Sequence, residues 1–161
     1  TNGIPANDTL VKQVTKTSGL PSWMRCMIAT YGATTGAEWA DLFAKNNGGT
    51  YNNQWIVVTL AAFQPGHQPT TGLLTIAEQI PGYVHIGDET ATLVSQGYWA
   101  SYNIPFYADI YKLSGFAIEE AKYGNSFSHT HCPRANMFRK LAPGVKTLED
   151  YQRVMRYNEW E

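Results

Sequence analysis

"TYNNQWIVV", residues 50–58, passes through three consecutive side-chain amides and then a tryptophan into three β-branched apolar residues. Its second half continues as QWIVVTLAAF, residues 54–63, a short β-branched and apolar run with the composition of a buried strand. Helical spacing precedes it. Met24, Met27, Ile28 and Tyr31 recur at i, i+3, i+4 and i+7 behind Pro21-Ser22, which predicts a helix over 22–31. Thr35 and Glu38 have the spacing of a capping box for a second helix over 36–45, stopped by Asn46-Asn47-Gly48-Gly49. After the strand, GHQPTTG at 66–72 is turn-rich, and LLTIAEQ and YVHIG give two further strands near 73–78 and 83–87. Helical patterns return from Ile104 to Leu113, in FAIEEAKYG, and in PRANMFRKL with Pro133 at its start. Thr147 and Asp150 open a last helix over 147–158, with Leu148, Tyr151, Val154 and Met155 on one face. Residues 1–20 read as polar and irregular. Helices, a strand group and helices again predict an α/β layered domain, its strands in one layer flanked by the helices at 22–31, 36–45 and 147–158.

The 161 residues suffice for one domain with a sizeable core. Charged residues make up 16%, below the usual ~25%, while aromatics reach 13%. The formal net charge of -1 provides no field that would draw nucleic acid or an anionic membrane. No apolar run approaches the ~18 residues of a membrane-spanning helix. The chain begins at Thr1 without a methionine, so it is expected to be a piece of something longer. Cys26 and Cys132 leave a disulfide undecided. Asn7-Asp8-Thr9 is an N-glycosylation acceptor pattern, usable only along a secretory route.

A second run, YWASYNIPF at 98–106, repeats the mixture of aromatics and amides without charge. Amides cost free energy when buried unless their donors and acceptors are paired, so both runs suggest a polar pocket in an aromatic wall. Asn52, Asn53, Gln54 and Asn103, with Arg134 further on, could donate to a developing oxyanion, or could only tie loops together. His129, His131 and Cys132 are zinc-type residues, but they lack a second ligand pair, so they read as a polar turn before a helix and no metal is expected there. Glu78, Asp88 and Glu89 could form an acid–base pair or be solvated charge. No phosphate-cradling glycine loop and no G-x-S-x-G elbow occurs, so neither nucleotide use nor a serine nucleophile is indicated, and no cofactor is expected.

GTYNNQW, LLTIAEQIPG, YWASYNIP, CPRAN and RVMRYNEW, taken together and in this order, closely resemble the phospholipase B-like (lamina-ancestor) family over nearly the whole chain. The resemblance implies an N-terminal-nucleophile hydrolase with a four-layer αββα sandwich, present here only in part. Residues 1–161 then form an internal fragment of a single hydrolase domain, from the middle of the larger processed chain. It implies a lysosomal or secreted glycoprotein that cleaves itself, Asn7 being the candidate glycosylation site here. An N-terminal Cys outside this chain would attack the ester or amide carbonyl of a lipid or N-acyl substrate. Asn103 matches the family's active-site asparagine and Arg134 an arginine beside the nucleophile, while Thr1 falls where an internal threonine lines the site. Asn52, Asn53 and Trp99 are expected to contact substrate. The alternative is a non-catalytic lipid-binding protein on the same fold. The remaining segments of the precursor are the expected partners and should leave strand edges and apolar patches exposed on this chain.

Overall fold

A computed structural model of the chain describes residues 2–4, 8–14 and 19–158; Thr1 and Asn7 lie outside the described residues. The strands are β1 (Asn2–Gly3), β2 (Asn53–Val58), β3 (Leu74–Ile80) and β4 (Tyr83–Asp88). They form one antiparallel sheet in the order β1-β2-β3-β4, so the expected single strand layer is present. Its register sets Gln54 opposite Glu78, Trp55 opposite Ala77 and Glu78 opposite His85. Pro81-Gly82 closes the β3–β4 hairpin, with Gly82 at φ 76°, a backbone state that glycine reaches without strain.

β3 is buried along its whole length, which requires cover on both faces. Thr75, Ala77 and Gln79 alternate onto the face beneath α2 (Ser22–Gly32) and α3 (Gly36–Ala44). The predicted capping box holds α3: Glu38 N–H donates to Thr35 Oγ1 and Thr35 N–H to Glu38 Oε2, both at 3.2 Å. At Gly36 an added Cβ would lie 2.5 Å from Thr75 Oγ1, so only glycine lets the helix start this close to the sheet. Trp39 stacks on Phe43 at 4.9 Å, and Trp55 meets Phe43 at 4.7 Å and Trp39 at 5.7 Å. Of the aromatics in residues 50–58, Trp55 therefore joins the helix–sheet contact while Tyr51 is exposed, and neither walls the cavity described below.

Arg25 enters the same layer from α2 and is 1% exposed. It donates to the carbonyls of Leu20 and Phe43, to Asn47 Oδ1, and to Gln79 Oε1 at 2.5 Å, and its guanidinium lies over the Phe43 ring at 4.3 Å. Burial lowers its pKa to about 10.

Leu74, Ile76, Glu78 and Ile80 alternate onto the opposite face. Ile80 packs there with Ile4 and Ile110, and Glu78 holds the segment leading into α5 (Ala108–Leu113). α6 (Phe116–Tyr123) and α7 (Pro133–Leu141) follow as predicted, with Pro133 opening α7. Residues 104–107 are not helical, contrary to expectation, because Pro105 and the two backbone N–H groups given to Glu78 hold them in a bent, non-helical course. α1 (Asp8–Val14) and α4 (Thr90–Gln96) are helices that the sequence pattern did not show. α8 (Leu148–Met155) has its predicted capping box, but it packs beside α7 and the 142–144 turn and does not flank the sheet as expected.

β1 pairs only with Gln54 and Asn53, so beyond them the outer edge of β2 has no strand partner among the described residues. Ile56 (37%) and Val58 (52%) are exposed there, with Leu60 and Phe63 just beyond. The expected open edge and apolar patch are both found.

Candidate functional site

Glu78 positions the candidate site. It is fully buried in the middle of β3 and accepts from Phe106 N–H at 2.6 Å, Tyr107 N–H at 2.9 Å and Gln54 Nε2 at 2.5 Å. These bonds fasten the 98–107 segment across the sheet. Burial pushes the Glu78 carboxyl above the usual range, outweighing the opposing hydrogen bonds and the nearby His85. On the fastened segment Asn103 has φ 50°, a left-handed state that asparagine tolerates better than most residues.

Arg134, in the first turn of α7, donates from Nη1 to Asn103 Oδ1 at 2.9 Å. An arginine can only donate, so this bond fixes which way the amide faces: oxygen to Arg134, nitrogen away from it. Asn103 Nδ2 donates to the carbonyl of Gly3 at 2.9 Å. Asn103 is half-buried and Arg134 exposed, so the pair is reachable from solvent. Two candidates 31 positions apart are thus in direct contact.

Trp99 lies beside this pair along the chain and lines a cavity of about 460 Å³ with Tyr98, Tyr102, Phe106, His129 and Phe138. Its Nε1 is buried without a hydrogen-bond partner. The aromatics of the second run therefore do wall a cavity, unlike those of the first. His129 packs against Tyr102 and Phe106 with ring centres 5.1 and 5.4 Å apart, and burial lowers its pKa. Asn103 and Arg134 do not line this cavity, but their neighbours Tyr102 and Ala135 do.

Comparison of the sequence with known proteins places the chain in a family. The Phospholipase B family model matches residues 1–161. The chain is 44% identical over 161 residues to phospholipase B-like protein A of Dictyostelium discoideum, covering 100% of this chain and 28% of that one. It is 43% identical over 166 residues to protein D of the same organism, covering 100% and 29%. With human phospholipase B-like 1 the identity is 41% over 155 residues, covering 96% and 28%. The chain belongs to the phospholipase B family. It spans little more than a quarter of the length of these relatives.

In this family member, the other expected contact residues have structural partners. Asn52 Nδ2 donates to Gly49 O and its Oδ1 accepts from Gln79 Nε2, both at 3.0 Å, joining it to the Arg25 network on the helix side. Asn53 is 2% exposed and donates to Tyr51 O at 2.9 Å, while its Oδ1 lies beside Gly3. Neither lines the aromatic cavity. Cys26 and Cys132 are both free thiols, and Cys132 is buried among Tyr102, Ile104, Phe116 and Ala135. His131 pairs with Thr130 Oγ1 at 2.8 Å, apart from the His129 ring stack. Asp88 binds Thr71, Thr90 and Gly72; although burial opposes it, these bonds bring its pKa down to about 2. Glu89 accepts from Tyr107 and Thr92, so the three acidic candidates do not form one acid–base pair. Sequence reasoning missed Glu78 as the residue that positions the site, although a lone charge inside the apolar run LLTIAEQI signals it.

Proposed function

We propose that this chain supplies the oxyanion-stabilising part of a phospholipase B-like acyl hydrolase. The observation that carries the reading is the Asn103–Arg134 hydrogen bond, which holds the amide oxygen on Arg134 and leaves the N–H₂ on the side of Gly3 with one hydrogen unspent. The nucleophile is a Cys at the head of the larger processed chain, outside these residues, with its own α-amine as base. Attack on an acyl ester or amide carbonyl places negative charge on the carbonyl oxygen. Asn103 Nδ2 spends one hydrogen on Gly3 O and has a second for that oxyanion. Arg134 keeps Asn103 oriented, and its charge favours the thiolate over the thiol. The parent fold is the four-layer αββα sandwich. The helices on one sheet face and the exposed Ile56 and Val58 on the other support it, the second sheet coming from the remaining segments.

The test is Asn103→Ala in the full-length processed protein, assayed on ester and amide lipids. Loss of one oxyanion donor lowers kcat by about 10²–10³ and leaves KM nearly unchanged. Undiminished kcat in this variant removes Asn103 from the mechanism.

A further inference from the structure

α7 presents Arg134, Met137, Phe138 and Leu141 at i, i+3, i+4 and i+7, one face covering about 10 Å of helix axis. A notch of about 70 Å³ runs along this face, with Val154 of α8 as its other wall. Phe138 and Val154 also wall a second depression of about 230 Å³, which adds Trp99, Tyr151 and Met155. The two hollows adjoin and form a groove between α7 and α8. Apolar side chains dominate it, and a charge stands at one end, where Arg134 holds Asn103. Tyr151 and Met155 are 53% and 57% exposed, so the groove is open.

We propose that this groove is the acyl-chain channel of the site and selects long, linear acyl groups. The proposal rests on the hydrolase reading above. A carbonyl seated at Asn103 directs its tail past Met137, Phe138 and Val154 towards Trp99. Polarity supports this occupant: the groove is polar at one end and apolar along the rest, as an acyl lipid is. Length agrees with it. A hydrocarbon core of ~30 Å is two chains deep, so a long chain extends about 15 Å, and the α7 face alone covers about 10 Å of it. The 460 Å³ cavity beyond Trp99 and Phe138 also carries Gln96, His129 and Arg139, and is the poorer host for a hydrocarbon tail. A protein segment covering the groove would account for its apolar walls but not for the cation–amide pair at its mouth.

The test uses the full-length processed protein with hexadecanoyl and butanoyl esters of one alcohol. Val154→Trp fills the groove. Each methylene displaced from an apolar site costs roughly fourfold, so kcat/KM for the hexadecanoyl ester falls by at least about tenfold, and that for the butanoyl ester stays within about threefold. Leu141→Trp, from the opposite wall, gives the same split. Equal losses on both esters overturn the proposal and make the groove a packing surface for other segments. Unchanged values on both place the tail elsewhere and overturn it too. If the wild-type protein cleaves neither these esters nor the corresponding amides, the hydrolase reading fails by itself and binding of cis-parinaric acid decides on the groove. Binding that Val154→Trp abolishes keeps the channel; absent or unaltered binding overturns it.

Discussion

Arg134 Nη1 and Asn103 Oδ1 lie 2.9 Å apart, so a charge-assisted hydrogen bond joins the first turn of α7 to the segment that Glu78 fastens to the sheet. If Arg134 acts by orienting Asn103, the two are not independent. Arg134→Ala lowers kcat by about 10–100-fold, the worth of a hydrogen bond to a charged group. Adding it to Asn103→Ala costs less than the two single losses together, the remainder being its effect on the thiolate. Arg134→Lys restores only part, since lysine keeps the charge but not the planar fork of donors. Additive losses in the double variant mean that Arg134 works on something other than Asn103.

The backbone at Asn103 permits a second separation of effects. With φ 50°, a β-carbon other than that of Asn or Asp is strained there. Asn103→Gly removes the amide but suits the backbone, whereas Asn103→Ala removes the amide and adds about 1 kcal/mol of strain. Both variants lose activity alike, and Asn103→Ala loses more stability in urea than Asn103→Gly. Retained activity in Asn103→Gly shows that the turn matters and the side chain does not.

Much of this arrangement was legible in the sequence. The strands near 54–60, 73–78 and 83–87 have strong β patterns, and both capping boxes rest on local chemistry that needs no tertiary context. α4 was hidden because TATLVSQ mixes β-branched residues with polar ones and its N-cap residue, Glu89, makes no side-chain cap, the Thr90 N–H going to Asp88 instead; it ends at Gly97 in the left-handed state. β1 is too short to carry a pattern. The stretch 104–107 was misread because a distant carboxylate, Glu78, decides its conformation. Asn103 and Arg134 could be singled out from family words, but their contact depends on that same carboxylate. Asn52 looked like a site amide and serves Gln79, because composition does not tell which face of a strand end an amide will take.

Arg25 yields a stability prediction. Its acceptors are Phe43 O, Gln79 Oε1, Leu20 O and Asn47 Oδ1, all neutral, so the cation is satisfied without a carboxylate. Arg25→Met keeps the bulk and leaves Phe43 O and Gln79 Oε1 buried without a donor, at about 1–3 kcal/mol each. The variant of the full-length protein unfolds at clearly lower urea concentration, and Gln79→Leu in that background recovers part of the loss by removing one orphaned acceptor. A urea midpoint equal to wild type in Arg25→Met refutes a structural role for this network.

Glu78 predicts a pH dependence whose sign follows from its burial. Burial raises the carboxyl's pKa, even though the N–H groups of Phe106 and Tyr107, the Gln54 amide and the charge of His85 all pull it down. The folded state therefore binds this proton more tightly than the unfolded chain, whose glutamates titrate near ~4.3. The resulting stability is fully present below that value and is lost as pH rises through the folded, raised pKa. Asp88, held at about 2, works in the opposite sense, but its contribution changes only below the unfolded aspartate value of about 3.9. Between neutral pH and pH 4 the half-buried His129, whose pKa burial lowers, also works against stability as pH falls, so Glu78 is isolated by the difference between Glu78→Gln and wild type. Glu78→Gln cannot titrate, and its single oxygen cannot serve both backbone N–H groups, so it is less stable than wild type by about 1 kcal/mol or more. Its urea midpoint also gains less than that of wild type on going from neutral pH towards pH 4. Since those N–H groups fix the segment bearing Asn103, kcat falls in Glu78→Gln while the butanoyl-to-hexadecanoyl preference stays as in wild type. A pH–stability slope in Glu78→Gln equal to that of wild type assigns the titration to another group and removes Glu78 from this account.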